Sequence, residues 1–139
     1  MNYKKAFVDS DILLDLLLNR EPFFIYSRTL LTDDIKKIIG LNTSALILAN
    51  VHYIISKNLN KSAAITSIKY IMDLINVLPF EASHINSAII ANHADFEDSI
   101  QYYIARENKC DLIVSRNIKH YKKFDIPVLN AEEFLRKIL

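Results

Sequence analysis

The sequence FVDSDILLDLLL, residues 7–18, decides the fold, because it joins a short apolar strand to an apolar helix through a group of carboxylates. Asp9 falls where the strand ends, and Asp11 lies where it would cap a helix running from Ile12. Asp11 and Asp15 are four residues apart and share a face of that helix. Burying several carboxylates at one strand end is costly unless a cation or hydrogen-bond donors neutralise them. The stretch therefore indicates a divalent-metal site, and the alternative is a helix cap, a surface acid and a turn residue.

The composition is that of one globular domain, and we expect residues 1–139 to form a single domain. Hydrophobic residues make up 51% and charged residues 24% of the chain, and the net charge of +1 selects no class of partner. The lone Cys110 excludes an internal disulfide, and the lone Gly40 excludes glycine-rich phosphate loops. No apolar run approaches the roughly 20 residues of a membrane span. Because Asp9 also interrupts any signal-peptide core, we expect a cytoplasmic protein with no membrane partner.

Strand and helix patterns alternate along the chain. Short apolar strands are predicted at residues 6–8, 41–44, 76–79, 112–115 and 127–129. One helix is predicted from Pro22 to about residue 37, with Gly40 as the residue that ends it. Further helix starts are predicted at Asn60, Ser83, Asp95 and Asn130. This alternation predicts an α/β fold with a short parallel sheet of four or five strands and helices on both faces. Residues 7–8 and 112–115 are expected at its centre, and residues 76–79 at an edge.

Short acids and amides from distant segments are predicted to meet at one edge of this sheet, because ligands bind at the carboxyl ends of parallel strands. Those that directly follow predicted strands are Asp9, Ser44, Ser115 and Asn117. The helix that starts at Asp95 begins at the same edge and carries Asp98 in its first turn, and Asn50 lies within two turns of the second strand. Each also has an ordinary alternative: Asp95 as a cap, Asp98 as an acid favoured by the helix dipole, and Asn50 as a core amide.

The motifs together resemble those of the PIN domains, metal-dependent ribonucleases that include the toxins of VapC-type toxin–antitoxin pairs. The resemblance covers nearly the whole chain and is carried by FVDSDILLD at residues 7–15, TSA at 43–45, DFEDSI at 95–100 and IVSRN at 113–117. It implies a PIN-like three-layer fold in which Asp9 and Asp98 are catalytic, metal-binding acids. Asp11, at a place where the family commonly has Asn, would be a third. Asn50 stands where many members have Glu, and Asn117 where many have Asp, so this site is less acidic than the full pattern.

The resemblance implies Mg²⁺ or Mn²⁺ as the cofactor, since hard cations take oxygen ligands, and RNA as the substrate of phosphodiester hydrolysis. The residues expected to support the three acids are Ser44, Asn50, Asp95, Ser115 and Asn117. A basic segment directly beside the site would supply the positive charge that RNA binding requires, and its alternative is a solvated loop. Its members are Arg116, Lys119, Lys122 and Lys123.

Three function classes remain open. The first is a metal-dependent ribonuclease, the toxin of a toxin–antitoxin pair. The second is a PIN-like RNA-binding domain with weak or lost nuclease activity, which Asn50 and Asn117 favour. The third is a response-regulator-like domain, which needs an aspartate after a central strand and a lysine after a late one, where this chain has Ser44 and Asn117. The apolar share of a small domain also predicts a surface for a partner, either a second copy in a homodimer or an antitoxin protein.

Overall fold

The sheet has five strands within residues 2–139, the part of the chain that the computed structural model describes. They are β1 (Lys5–Val8), β2 (Gly40–Ser44), β3 (Asn76–Leu78), β4 (Leu112–Val114) and β5 (Val128–Leu129). Their order is β3-β2-β1-β4-β5, and every neighbouring pair is parallel. The predicted parallel α/β sheet is therefore confirmed, with β1 at its centre, β4 beside it and β3 at one edge.

The segments between and after the strands are helical. The helices are α1 (Ser10–Leu17), α2 (Phe24–Leu30), α3 (Asp33–Ile38), α4 (Ala45–Asn58), α5 (Lys61–Leu74), α6 (Ala82–Ala91), α7 (Phe96–Glu107), α8 (Ile118–Tyr121) and α9 (Ala131–Ile138). Asn60 caps α5 by accepting from the Ala63 N–H, as its position predicts. Asn130 and Glu133 form the predicted reciprocal cap of α9. Within residues 2–139 no helix is both long and apolar enough to cross a bilayer.

The two central strands are buried on both faces, which is why their sequences are apolar without interruption. The side chains from Ala6 to Val8 and from Leu112 to Val114 have no exposed surface. Val8 is in register with Val114, and the Asp9 N–H continues the pairing by donating to the Val114 carbonyl at 3.0 Å. The residues that follow β1 and β4 consequently leave the core side by side.

The long helix predicted from Pro22 is two helices in the structure. The chain breaks between α2 and α3, where the Thr32 hydroxyl accepts from the Ile35 N–H at 3.4 Å and starts the second helix. Gly40 does not end a helix as predicted. It opens β2 and donates its N–H to the Lys4 carbonyl, so sheet pairing determines its place.

The start of α6 also differs from the prediction. Ser83 lies inside the helix, and the cap is Glu81, whose N–H donates to Nδ1 of His84 at 2.9 Å. Serine was predicted to cap because its hydroxyl is the commoner capping group. A reciprocal cap between Glu81 and His84 instead begins the helix two residues earlier than predicted.

Candidate metal centre

Asp9 lies at the carboxyl end of β1 and is nearly fully buried. It is also the cap of α1, since its Oδ1 accepts from the Ser10 N–H at 2.8 Å; Asp11, predicted as the cap, lies inside the helix. Its Oδ2 accepts from the Ser115 hydroxyl at 2.8 Å and from the Tyr121 hydroxyl at 3.0 Å. The carboxylate is thereby held in one orientation at the edge of the sheet.

Asp11 is held by the segment that follows β4. Its Oδ2 accepts from the Arg116 main-chain N–H at 2.9 Å and lies 3.4 Å from the Ser115 hydroxyl. Its Oδ1 is buried and has no hydrogen-bond partner among residues 2–139. An unpartnered buried carboxylate oxygen is costly in a folded protein, and a cation would remove that cost.

Burial raises the pKa of all three acids, and the charge of Asp9 adds to this for Asp11 and Asp98. Burial raises the pKa of Asp9 despite its hydrogen bonds. Burial, and then the neighbouring charge of Asp9, raise the pKa of Asp11 to about 7. The pKa of Asp98 is raised by burial and again by the charge of Asp9. Oxygen-only donors of this kind fit a hard divalent cation, which would favour the ionised form of all three.

A second group of ligand atoms lies beside Asp98. Oxygens of Asp95 and Asp98 and a ring nitrogen of His120 lie within 4.8 Å of one another. The Asp98 carboxylate contacts Nδ1 of His120 at 3.0 Å, and Lys123 Nζ lies 3.5 Å from Asp95. Asp95 occupies the cap position of α7, but its carboxylate makes no capping hydrogen bond in the described part of the chain. The predicted site does not include His120, because a single histidine within a basic segment has no spacing to another ligand that would indicate metal binding.

Side chains of α8 and of the residues directly after it contact the acids. His120 contacts Asp98, Tyr121 contacts Asp9 and Lys123 contacts Asp95. Tyr121 has no exposed surface, and burial together with the charge of Asp9 raises its pKa, so it retains its proton and donates. The sequence carries no signal for this contact, since a tyrosine in a basic segment indicates neither burial nor a carboxylate partner.

Arg116 pairs with Asp15, one turn beyond Asp11 on α1. Arg116 Nε and Nη2 donate to the two carboxylate oxygens at 2.8 and 2.9 Å, and Asp15 is completely buried. The guanidinium also lies over the Phe23 ring, 3.9 Å from its centroid. The sequence predicts that Asp15 shares a helix face with Asp11 and that Arg116 belongs to the basic segment beside the site. The guanidinium is engaged inside the protein, so contact of this side chain with RNA stays a prediction.

The remaining predicted site residues are spread around this edge. Ser44 caps α4 and donates its hydroxyl to Gln101 Oε1 at 2.7 Å, so it contacts α7 rather than the acids. Asn50 Nδ2 donates to Glu97 Oε1 at 2.6 Å. Asn117 is exposed, and its main-chain N–H donates to the Ser115 hydroxyl at 3.0 Å. Lys119 and Lys122 are exposed beside the site.

A parallel α/β sheet with carboxylates gathered at its carboxyl edge defines a class of domain whose ligand site lies at that edge. The matching family model is that of the PIN domain, over residues 5–119. This chain therefore belongs to the PIN domain family, and the resemblance inferred from its motifs is confirmed.

Individual relatives agree with this assignment. Ribonuclease VapC1 of Aquifex aeolicus (strain VF5) is 32% identical over 142 residues, spanning 99% of this chain and 97% of the relative. A chain of DNA-bound VapBC from Salmonella typhimurium superposes with a TM-score of 0.70 at 14% identity, covering 92% of this chain and 98% of that one. Mycobacterium tuberculosis VapC20, a sarcin–ricin loop cleaving toxin, gives 0.67 at 14% identity over 83% and 92%. At that identity the two structures are evidence of fold alone.

Proposed function

We propose that this protein is a divalent-metal-dependent ribonuclease of the VapC toxin type. The observation that carries the proposal is the pair of buried acids Asp9 and Asp11, both within 3.4 Å of the Ser115 hydroxyl, with Asp98 near enough for the charge of Asp9 to raise its pKa. The relative named Ribonuclease VapC1, matched over almost its whole length, supports the reaction class. The proposed cofactor is Mg²⁺ or Mn²⁺, since the converging donors are hard oxygens.

Asp9 and Asp98 are the proposed ligands, with Asp11 as a third. A cation bound by them would supply Lewis acidity and a water of lowered pKa for attack on a phosphodiester. The chain itself orients the ligands: Ser115 and Tyr121 hold Asp9, and the Arg116 N–H holds Asp11. His120 contacts Asp98 and keeps that carboxylate turned toward α8. The positions of these acids are thus set before substrate arrives.

The proposed RNA-binding surface is the segment after β4. Lys119, Lys122 and Lys123 are exposed, and Lys123 also pairs with Asp95 at 3.5 Å. Positive charge here would offset repulsion between the acidic site and the phosphates of RNA. Arg116 and Asn117 complete the segment. The Arg116 main-chain N–H donates to Asp11 and its guanidinium to Asp15, so Arg116 orients the site more than it adds free positive charge.

The proposed partners are an antitoxin protein and a second copy of the chain, in the cytoplasm. Structural relatives include VapBC from Salmonella typhimurium, and the crystal structure of that protein contains DNA. Large apolar side chains remain exposed, among them Ile89 at 59% and Ile90 at 84% on α6. Exposed apolar side chains of this size support contact with another chain. Sedimentation at high micromolar concentration would show dimers, and a lone monomer would contradict the homodimer.

A second candidate function is favoured by Asn50, which places an amide where many PIN domains have a glutamate. Its Nδ2 donates to Glu97, so the neighbouring carboxylate is occupied by that contact. A site with one charge fewer attracts a cation less strongly. The chain would then bind RNA with weak or lost cleavage. If the parent does not cleave RNA and Asn50→Glu does, this second function replaces the first.

The test is cleavage of a mixed RNA pool in Mg²⁺, in Mn²⁺ and in chelator. We expect the parent to cleave with either metal and to stop in chelator. Asp9→Asn and Asp98→Asn should reduce cleavage by at least about a hundredfold, as loss of electrostatic stabilisation does elsewhere. Asp125→Asn, which changes an exposed carboxylate outside the site, is the matched control and should cleave like the parent. Equal rates for Asp9→Asn and the parent would place the reaction elsewhere.

A further inference from the structure

A cavity of about 220 Å³ lies beside the metal centre, between α1, α2 and the start of α9. Its lining includes Asp15, Phe23, Tyr26, Ser27, Arg116 and, from α9, Glu132. We call it the Arg116 cavity. Its walls are mostly apolar and aromatic, with a few polar groups, which is the composition of a site for a small flat ligand.

Arg116 belongs to both the cavity and the metal centre. Its main-chain N–H donates to Asp11, and its side chain forms part of the cavity wall. Asp15, in the same wall, is one turn after Asp11 on α1, a rise of about 6 Å. A ligand in the cavity would therefore lie next to a phosphodiester held at the acidic site.

The charge of the cavity disfavours a phosphate as its ligand. Asp15 takes the Nε and Nη2 donors of Arg116 and neutralises the guanidinium, so an anion gains no net attraction from this pair. Glu132, the other acid of the lining, is paired with Arg136, so the cavity carries no uncompensated charge that would repel RNA. A flat, uncharged group is what remains, and a nucleobase is such a group.

The aromatic groups provide the face that a base requires. Phe23 is 37% exposed, and its ring lies 3.9 Å from the Arg116 guanidinium. Tyr26 is half-buried in the same wall. Bases of single-stranded RNA stack on aromatic rings and on guanidinium planes.

One polar group of the wall lacks a partner. The Ser27 hydroxyl is buried and forms no hydrogen bond within residues 2–139. Buried hydroxyls are normally satisfied, and the edge of a base carries both donors and acceptors. Stacking and an unsatisfied hydroxyl thus point to the same ligand by separate observations.

We propose that the Arg116 cavity binds one base of the substrate RNA, adjacent to the phosphodiester held at the metal centre. The inference deepens the proposed ribonuclease function, on which its RNA substrate rests. It makes this chain a nuclease that selects its cleavage sites partly by the base next to the cut, rather than by phosphate contacts alone.

The first test needs no cleavage. The amide signals of Tyr26 and Ser27 are followed by NMR in chelator while AMP, GMP, CMP and UMP are added separately. We expect at least one nucleotide to shift them, and ribose 5-phosphate, which lacks the base, to leave them unchanged. Equal shifts with ribose 5-phosphate would overturn the proposal. An equal response to N-acetyltyrosinamide would assign the cavity to a protein side chain and would overturn it too.

Two variants separate the contribution of the Phe23 ring from that of the Ser27 hydroxyl. Phe23→Leu should raise the Kd of the bound nucleotide roughly tenfold, since it removes one stacking face. Ser27→Ala should raise Kd less. Because this change preserves packing, it provides a second test if Phe23→Leu disturbs the fold. Tyr53→Leu, an exposed aromatic change on α4, is the matched control and should leave Kd unchanged. An unchanged Kd in both Phe23→Leu and Ser27→Ala overturns the proposal.

The second test uses cleavage. Abasic sites are placed one at a time around a cut site, and kcat/KM is measured for the parent and Ser27→Ala. An abasic site at one position should lower kcat/KM roughly tenfold in the parent and less in Ser27→Ala. Cleavage that ignores every abasic site contradicts the base-binding cavity while leaving the nuclease intact. Nucleotide binding without any cleavage contradicts the nuclease while leaving the cavity intact.

Discussion

Replacing Asp11 by asparagine should stabilise the metal-free protein at neutral and alkaline pH. Asp11 is nearly fully buried and faces the charge of Asp9, and one of its oxygens has no partner in the described chain. Asparagine keeps the shape and an oxygen that can accept from the Arg116 N–H, but it carries no charge. The substitution therefore removes repulsion while retaining the contact that orients this position.

The size of the effect follows from the pKa of Asp11, which is raised from its ordinary 3.8 to about 7. Each pH unit of difference corresponds to about 1.4 kcal/mol, so ionised Asp11 costs the folded protein up to about 4 kcal/mol. The native state binds this proton more tightly than the unfolded chain does. The free energy of unfolding therefore falls as pH rises from about 4 to about 7, and the full cost is present above that range.

The assay is urea unfolding of parent and Asp11→Asn in chelator at pH 4, 6 and 8. We expect the variant to be more stable by about 2 to 4 kcal/mol at pH 8 and by less than about 1 kcal/mol at pH 4. Asp125→Asn, at an exposed position, serves as the control for loss of one negative charge. A gain of the same size at pH 4 and pH 8 would refute the electrostatic reasoning, and so would no gain at either.

Three further predictions concern contacts around the centre. Asp15→Asn should lower the free energy of unfolding by about 3 kcal/mol at pH 7 in urea titrations, because it leaves the Arg116 charge without its buried partner; a loss below about 0.5 kcal/mol would contradict this. Tyr121→Phe should weaken Mn²⁺ binding by roughly tenfold in calorimetry, since the Asp9 carboxylate loses an orienting donor; an unchanged affinity would make Tyr121 purely a packing residue. Alanine in place of the exposed lysines should flatten the salt dependence of RNA binding, because each lysine that is removed takes away one phosphate contact. A salt slope equal to that of the parent would assign the segment to solvent. Those lysines are Lys119, Lys122 and Lys123.

The fold was predictable because apolar runs and helical periods repeat clearly in this chain. Uninterrupted apolar runs at β1 and β4 predict strands buried on both faces, and the structure has both at the centre of the sheet. Helix boundaries were less predictable, because they depend on which of several capping groups is used. Glu81 rather than Ser83 starts α6, and Thr32 divides the segment after Pro22.

The candidate site was predictable to the extent that strand ends determine it. Asp9 and Ser115 follow paired strands, and the structure brings them within 2.8 Å. The partners that come from α8 were not predictable, because this short helix folds back through tertiary contacts that have no periodic signal. The partner of Asp15 was not predictable for a similar reason, since Arg116 is 101 residues away in sequence.

The order of the contacts has a consequence for synthesis. Asp9 emerges from the ribosome early, but the side chains that orient it, Ser115 and Tyr121, are made more than a hundred residues later. The central strand β1 likewise gains its neighbour β4 only then. A nascent chain shorter than about Tyr121 therefore lacks a formed centre, whatever cation is present. If the protein is toxic to its own cell, that toxicity begins only after Tyr121 has been synthesised.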